Sequence, residues 1–306
     1  MRHFLDIDGL DKGTLRAILD SAHAMKSAGR RLPGALRPKA ADGAVLIAIF
    51  EKASTRTRVS FDLAMRQLGG ETIVLNEKDL GLGHRETIAD TARVLSRYAD
   101  VLVLRAVQHK TLLELAEHAS VPVINGLTNM SHPCQIMADL QTLEEAKGPL
   151  GALTVAWIGD ANNVMRSWVH AAARFGFALR VACPAAYGPG AELMAFAKRE
   201  GARLSVTADP TAAAAGADCL VTDTWVSIGD SDGEARQQAL APYQVDAGLM
   251  RRAAADAIFL HCLPAHRGQE VSAEVIDGPQ SRVWDEAENR LHAQKAILAW
   301  CLGSGP

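Results

Sequence analysis

What most narrows the possible folds of this chain is a rhythm. Nine short apolar or β-branched runs alternate with longer stretches whose apolar residues recur every three or four positions. In the first half the runs are AVLIAIFE (44–51), ETIVLN (71–76), DVLVLRA (100–106) and VPVIN (121–125). In the second they are LTVAWIGD, LRVACP, RLSVTAD, CLVTDTW and AIFLHCLP. Near-continuous apolar strands are buried on both faces, and the helical stretches between them supply the crossovers that parallel strands need. The predicted class is α/β, with two domains, each a parallel β-sheet flanked by helices. A length of 306 residues fits two such units.

HPCQIMADLQTLEEAKG (132–148) reads as one long helix closed by Gly148 and Pro149. The expected division is a first domain at 1–135, an inter-domain helix at 136–149 and a second domain at 150–285. The last segment, 286–306, holds NRLHAQKAILAWCLG, too apolar to lie free, and is expected to pack back on the first domain.

Charge and cysteine usage exclude several classes of function. Lys and Arg number 32 against 35 Asp and Glu, a net charge of −3, so no basic face for nucleic acid is expected. The N-terminus lacks an apolar core of signal-peptide length, and VLIAIF (45–50) is far shorter than a membrane span. Five widely spaced cysteines without Cys-x-x-Cys argue against disulfides and a cysteine zinc site, and point to a reducing cytoplasm.

Ligands of α/β sheets collect beyond the carboxyl ends of strands, where loops enter helices. EKASTRTRVSF (51–61) lies at such a junction and crowds Ser54, Thr55, Arg56, Thr57, Arg58 and Ser60 together. One reading is plain N-capping by Ser54 or Thr55, with the arginines solvated. The other is an anion site, in which the unpaired N–H groups of a helix start are joined by hydroxyls and guanidinium groups. No Gly-x-x-x-x-Gly-Lys-[Ser/Thr] is present for a P-loop. Further polar clusters follow at HPCQ (132–135), DTWVSIG (223–229), HCLP (261–264) and WDEAENR (284–290), the last leading into the final helix. His261, Cys262 and His266 suggest a metal site, but neighbours on a strand point to opposite faces, and no metal is expected.

STRTR and HPCQ resemble the carbamoyl-phosphate signatures of the aspartate and ornithine carbamoyltransferase family. DTWVSIG, HCLP and DEAENR are similar to the markers of its ornithine branch; the aspartate branch carries an HPLP-type sequence in place of HCLP. The resemblance spans residues 54 to 290 in family order. It implies transfer of a carbamoyl group from carbamoyl phosphate to the side-chain amine of L-ornithine, giving L-citrulline and phosphate, as in arginine biosynthesis. It also implies a homotrimer with active sites at subunit boundaries, and no cofactor, because an acyl phosphate is already activated.

By motif, Ser54, Thr55, Arg56 and Thr57 would hold the phosphate, and Arg105 would bridge phosphate and carbonyl oxygen. His132 would polarise the carbonyl and Gln135 would bind the carbamoyl amide, with Pro133 and Cys134 in the same motif. Asn163, Asp223, Ser227 and Ile228 would hold ornithine, and Cys262, Leu263 and Arg290 would complete the reacting centre. Two departures stand out. Ile228 replaces the usual Met of a Ser-Met-Gly loop, and Gly81 stands where relatives place Gln or His on a loop reaching the neighbouring subunit. Either Lys78, His84 or Arg85 substitutes for the missing side chain at Gly81, or the contact across the subunit boundary is weaker here or made by backbone alone.

Three other readings compete. The acceptor could be an acylated ornithine or putrescine, although putrescine would leave Asp223 and Asn163 with less to hold. A dinucleotide-binding oxidoreductase is suggested by LTVAWIGDANNVMRSW, but only Gly159 of Gly-x-Gly-x-x-Gly is present, with Ala161 and Val164 at the other positions. A non-catalytic homologue fits poorly with a set of chemical residues intact apart from Gly81.

Overall fold

The structure is a computed structural model, and it describes residues 1–29, 32–36, 38–52, 54–76, 81, 85–226 and 232–303. The chain forms two compact units: Met1–Gln141 together with Glu288–Pro306, and Thr142–Ala287.

In the first unit, helix α1 (Lys12–Ser27) precedes strand β1 (Val45–Phe50), helix α2 (Thr55–Leu68) and strand β2 (Glu71–Asn76). Helix α3 (Ile88–Leu95), strand β3 (Val101–Arg105), helix α4 (His109–His118) and strand β4 (Val123–Leu127) follow. The four strands form a parallel sheet in the order β2-β1-β3-β4. Strand periodicity divides the apolar residues between its faces. Ile47, Ile49, Leu102 and Leu104 pack with Leu95 of α3 and Leu112 and Leu115 of α4, while Leu46, Ala48, Val101 and Val103 are buried on the other face. The fourth strand begins two residues later than VPVIN suggests and runs on through Gly126 to Leu127.

Helix α5 (Pro133–Lys147) starts on a proline, whose missing N–H costs nothing at a first helical position. The boundary between the units falls inside this helix, after Gln141. The second unit then runs through β5 (Thr154–Ile158), α6 (Asn163–Phe175), β6 (Ala178–Ala182), α7 (Ala191–Arg199), β7 (Arg203–Thr207), α8 (Pro210–Ala214) and β8 (Cys219–Thr222). It continues with α9 (Gly233–Leu240), α10 (Ala247–Met250), β9 (Ile258–His261) and α11 (Ala273–Ile276). Its five parallel strands lie in the order β7-β6-β5-β8-β9. Ala156, Ile158, Leu220 and Phe259 form one apolar face with Trp225, Leu240, Tyr243 and Ile276.

The final helix, α12 (Val283–Cys301), begins six residues earlier than its apolar stretch suggests, so WDEAENR is helix rather than a lead-in. From Glu288 onward it belongs to the first unit, as the apolar pattern of 289–303 requires.

Both strand orders contain a point where the chain reverses direction across the sheet, between β1 and β3 in the first unit and between β5 and β8 in the second. Loops leaving the carboxyl ends of the two strands at such a point diverge and leave a crevice, where ligands of α/β sheets bind.

Candidate active site

In the first unit the crevice is formed by the ends of β1 and β3. Ser54 occupies the N-cap position of α2 with extended backbone, yet its hydroxyl makes no capping bond. It accepts instead from Arg105 Nη1 at 2.7 Å. Plain capping therefore does not account for the cluster. Arg105 ends β3 and lies in register with Phe50, the last residue of β1. Beside it, β4 carries an extra residue, Gly126, where the register shifts between Leu104 and Arg105. A Cβ at Gly126 would lie 3.2 Å from the Leu104 carbonyl oxygen and 3.4 Å from Arg105 Cβ, so glycine keeps this corner clear.

Thr57 is buried, and its Oγ1 accepts from Arg105 Nη1 at 3.3 Å and from Arg290 Nη2 at 3.2 Å. Two cationic donors fill the lone pairs of one hydroxyl, so its own proton must be given to something else. Thr55 and Arg56 are exposed at the start of α2, whose first-turn N–H groups lack intrahelical acceptors. The grouping of donors and positive charge suits a multiply charged anion.

His132 precedes α5 and is 4% exposed. Burial above all, then the charges of Arg290, Arg105 and Arg56, holds its pKa well below the usual histidine value. The imidazole is neutral, and a neutral imidazole can still donate one N–H to a carbonyl oxygen. Gln135 Oε1 accepts from Arg290 Nη1 at 2.5 Å, and its Nε2 donates to Asp139 Oδ1 at 2.7 Å. Pro133 and Cys134 are buried with this motif. The Cys134 thiol turns to strand β4, donating to the Asn125 carbonyl at 3.3 Å; burial, opposed by the charge of Arg290, pushes it up to about 12. Its side chain does not join the polar cluster.

The structure thus brings Ser54, Thr57, Arg105, Gln135 and Arg290 into one hydrogen-bonded group, with His132 and Arg56 within electrostatic reach. Gly81 takes a left-handed φ of +58°, and a Cβ there would press to 2.8 Å from Arg85 Cγ, so a side chain is doubly disfavoured. Lys78 and His84 lie outside the described residues.

The crevice of the second unit joins the ends of β5 and β8, with β9 alongside. Asn162, which the sequence reading passed over, caps α6: its Oδ1 accepts from Val164 and Met165 N–H, and its Nδ2 donates to Asp223 Oδ2 at 2.7 Å. The Cys262 thiol donates to Asp223 Oδ1 at 3.1 Å. Asp223 is thereby held from both sides. Asn163 is the first residue of α6, and its carbonyl accepts from Ser167. The doubled asparagine of GDANN was the available signal for Asn162. Ser227 and Ile228 lie outside the described residues.

The expectation that His261 and Cys262 point apart is not met: their ligand atoms and that of Asp223 lie within 4.8 Å of one another. Strand β9 ends at His261, so the alternation of faces lapses at Cys262. His261 is engaged by the protein, with Nδ1 accepting from Leu263 N–H at 2.9 Å and Nε2 facing Glu270 Oε1 at 3.2 Å. Leu263 has a φ of +58°, rare for a branched residue, and precedes a cis peptide bond to Pro264. The bond to His261 holds this conformation, whose cost is about 1–2 kcal/mol.

The family model described as "Aspartate/ornithine carbamoyltransferase, carbamoyl-P binding domain" matches residues 2–145, and the one described as "Asp/Orn binding domain" matches 152–301. A protein named ornithine carbamoyltransferase from Nitrobacter winogradskyi is 60% identical over 304 residues, covering 99% of this chain and 98% of its own. Among solved structures, ornithine carbamoyltransferase from Pyrococcus furiosus is 43% identical with a TM-score of 0.93, covering 100% of this chain and 98% of that one. The enzyme of the same name from Gloeobacter violaceus is 45% identical with a TM-score of 0.87, covering 99% of each chain. The chain belongs to the aspartate/ornithine carbamoyltransferase family.

Proposed function

We propose that the chain transfers the carbamoyl group of carbamoyl phosphate to the side-chain amine of L-ornithine, forming L-citrulline and phosphate. The relatives named above carry this activity in their names. The observation that carries the reading is the double use of the Thr57 hydroxyl by Arg105 and Arg290, beside a neutral His132. Ser54, Thr55, Arg56, Thr57 and Arg105 grip the phosphate. Arg105, His132 and Arg290 face the carbonyl oxygen, where amine attack builds negative charge; a donor aimed at such an oxygen is worth about 10²–10³ in rate. Gln135 receives the carbamoyl NH₂ on its oxygen.

In the second unit, Asp223 pairs with the ammonium at ornithine's α-carbon, and Asn163, Ser227 and Ile228 complete the acceptor site. Cys262 and Leu263 keep the role at the reacting centre that the resemblance gives them. Cys262 is not needed as a covalent nucleophile, because the donor is already activated.

The amine must be neutral to attack. With a pKa near 10.4, about one molecule in 2,500 is neutral at pH 7, a cost of about 4.6 kcal/mol. Activity therefore climbs from about pH 7 towards about pH 9.

We further propose a homotrimer, to which Gly81 and its loop contribute across the subunit boundary. Val59 and Leu63, four residues apart on α2, are 51% and 41% exposed, and Ile73 is 48% exposed on edge strand β2; this apolar surface supports assembly. A cytoplasmic setting is supported by five free cysteines. Among the described residues no helix is long and apolar enough to cross a membrane.

The deciding experiment offers carbamoyl phosphate with ornithine, N-acetylornithine or putrescine, and measures phosphate and the carbamoylated amine. Ornithine should be preferred, and Asp223→Asn should raise its KM without moving that of carbamoyl phosphate. Equal or better turnover with putrescine would overturn the acceptor assignment, and turnover highest near pH 6 would overturn attack by a free amine.

A further inference from the structure

Arg290 sits in the middle of a buried chain of polar side chains, all within the first unit. Its Nη1 donates to Gln135 Oε1 and its Nη2 to Thr57 Oγ1. Gln294, one turn further along α12, is fully buried. With its amide turned so that both ends are satisfied, Gln294 Oε1 accepts from Arg290 Nη2 at 2.9 Å. Its Nε2 then donates to the Arg290 carbonyl at 3.2 Å and to Ser60 Oγ. At the far end, Gln135 Nε2 donates to Asp139 Oδ1, and Asp139 is 1% exposed.

The polarity of this chain has one consistent direction. Asp139 Oδ1 accepts from the Gln135 NH₂, which leaves the Gln135 oxygen for Arg290. A guanidinium is a planar fork with fixed donor directions, so acceptors at several of its N–H groups determine where it points. The acceptors at Gln135, Thr57 and Gln294 are neutral oxygens, which aim a cation without cancelling its charge.

We propose that Asp139 and Gln294 are positioning residues for carbamoyl transfer: Gln294 directly, and Asp139 through Gln135, hold the Arg290 guanidinium at the angle that meets the donor's carbonyl oxygen. The inference rests on the donor-site reading above. It concerns the direction of Arg290 and leaves the phosphate grip to Ser54, Thr57 and Arg105. A displacement of about 1 Å in such a group can cost about 10²-fold in rate.

The test uses Gln294→Met, similar in length but without polar ends, and Asp139→Asn. Steady-state carbamoyl transfer is measured well below each variant's melting midpoint, and inorganic phosphate affinity is measured by calorimetry. Gln294→Met should lower kcat about 10- to 100-fold while phosphate affinity stays within about twofold. Asp139→Asn should lower kcat in the same way, because an asparagine can donate as well as accept and lets Gln135 turn round. Unchanged kcat in Gln294→Met and Asp139→Asn would overturn the proposal. So would a parallel fall of kcat and phosphate affinity. A wild-type protein that binds phosphate but never carbamoylates ornithine would instead remove the functional reading, and this inference with it.

Discussion

Replacing Thr57 with valine removes one oxygen and almost no volume, and it isolates the central idea of the donor site. The wild-type hydroxyl accepts from Arg105 at 3.3 Å and Arg290 at 3.2 Å, so its proton is left to donate to a bound anion. Valine and threonine have similar helix propensities, so α2 should form in either case. A hydrogen bond to a charged group is worth about 1.5–3 kcal/mol, and 1.4 kcal/mol is tenfold in affinity, so phosphate binding should weaken roughly 10- to 150-fold. The rate should fall further, because Arg105 and Arg290 lose a shared acceptor and with it part of their alignment. Phosphate affinity by calorimetry and turnover with saturating ornithine give the two numbers. Thr57→Ser keeps the hydroxyl and should stay close to wild type. If Thr57→Val binds phosphate as tightly as the wild type, the hydroxyl does not face the anion, and the reading of the α2 start as a donor site fails.

Two further predictions concern the buried charges of α12 and its surroundings. Lys295 is fully buried, donates to Gln67 Oε1 at 2.6 Å, and is held by burial at a pKa of about 8. Between pH 8 and its ordinary value of 10.5 the unfolded chain keeps a proton that the folded one has shed, so this group adds stability as pH rises. Lys295→Met should raise the midpoint of thermal unfolding at neutral pH, by the equivalent of about 1–3 kcal/mol, and abolish that rise; a variant that keeps the wild-type slope would refute the assignment. His292, lowered to about 4 by burial first and then by the charges of Lys295 and Lys26, acts on the acid side. Below about pH 6.5 the unfolded chain takes up a proton that the folded one refuses, so stability falls, by about 2 kcal/mol at pH 5 from this group alone, and His132 adds to the loss in the same direction. Denaturant midpoints at pH 7 and pH 5 for wild type and His292→Asn measure the term, and an equal acid loss in both would remove it.

Much of the architecture was legible because it is local. The ETIVLN run became β2 without a change of boundary, and HPCQIMADLQTLEEAKG became α5 with one residue trimmed at each end. Buried parallel strands and long helices announce themselves by period and composition alone. The start of α12 was missed because Val283 to Glu288 carries charged residues on a helix whose apolar pattern begins later. The bearing of Cys262 was missed because the strand ends one residue too soon for alternation to apply.

The residue types and their order carried the family resemblance that named the chemistry: an arginine- and hydroxyl-rich helix start, a histidine before a long helix, and an arginine near the chain's end all lie in the linear text. Their mutual directions were not. Ser54 could as well have capped its own helix, and only the order β2-β1-β3-β4 puts Arg105 close enough to take its hydroxyl. Thr57 and Arg290 are 233 positions apart, and nothing local predicts that Gln294 and Asp139 orient the groups between them. Periodicity reports which face of an element is buried, because that depends on near neighbours. Which element it is buried against, and so which donor meets which acceptor, is decided only when strands pair across the sheet and the last helix returns to the first unit.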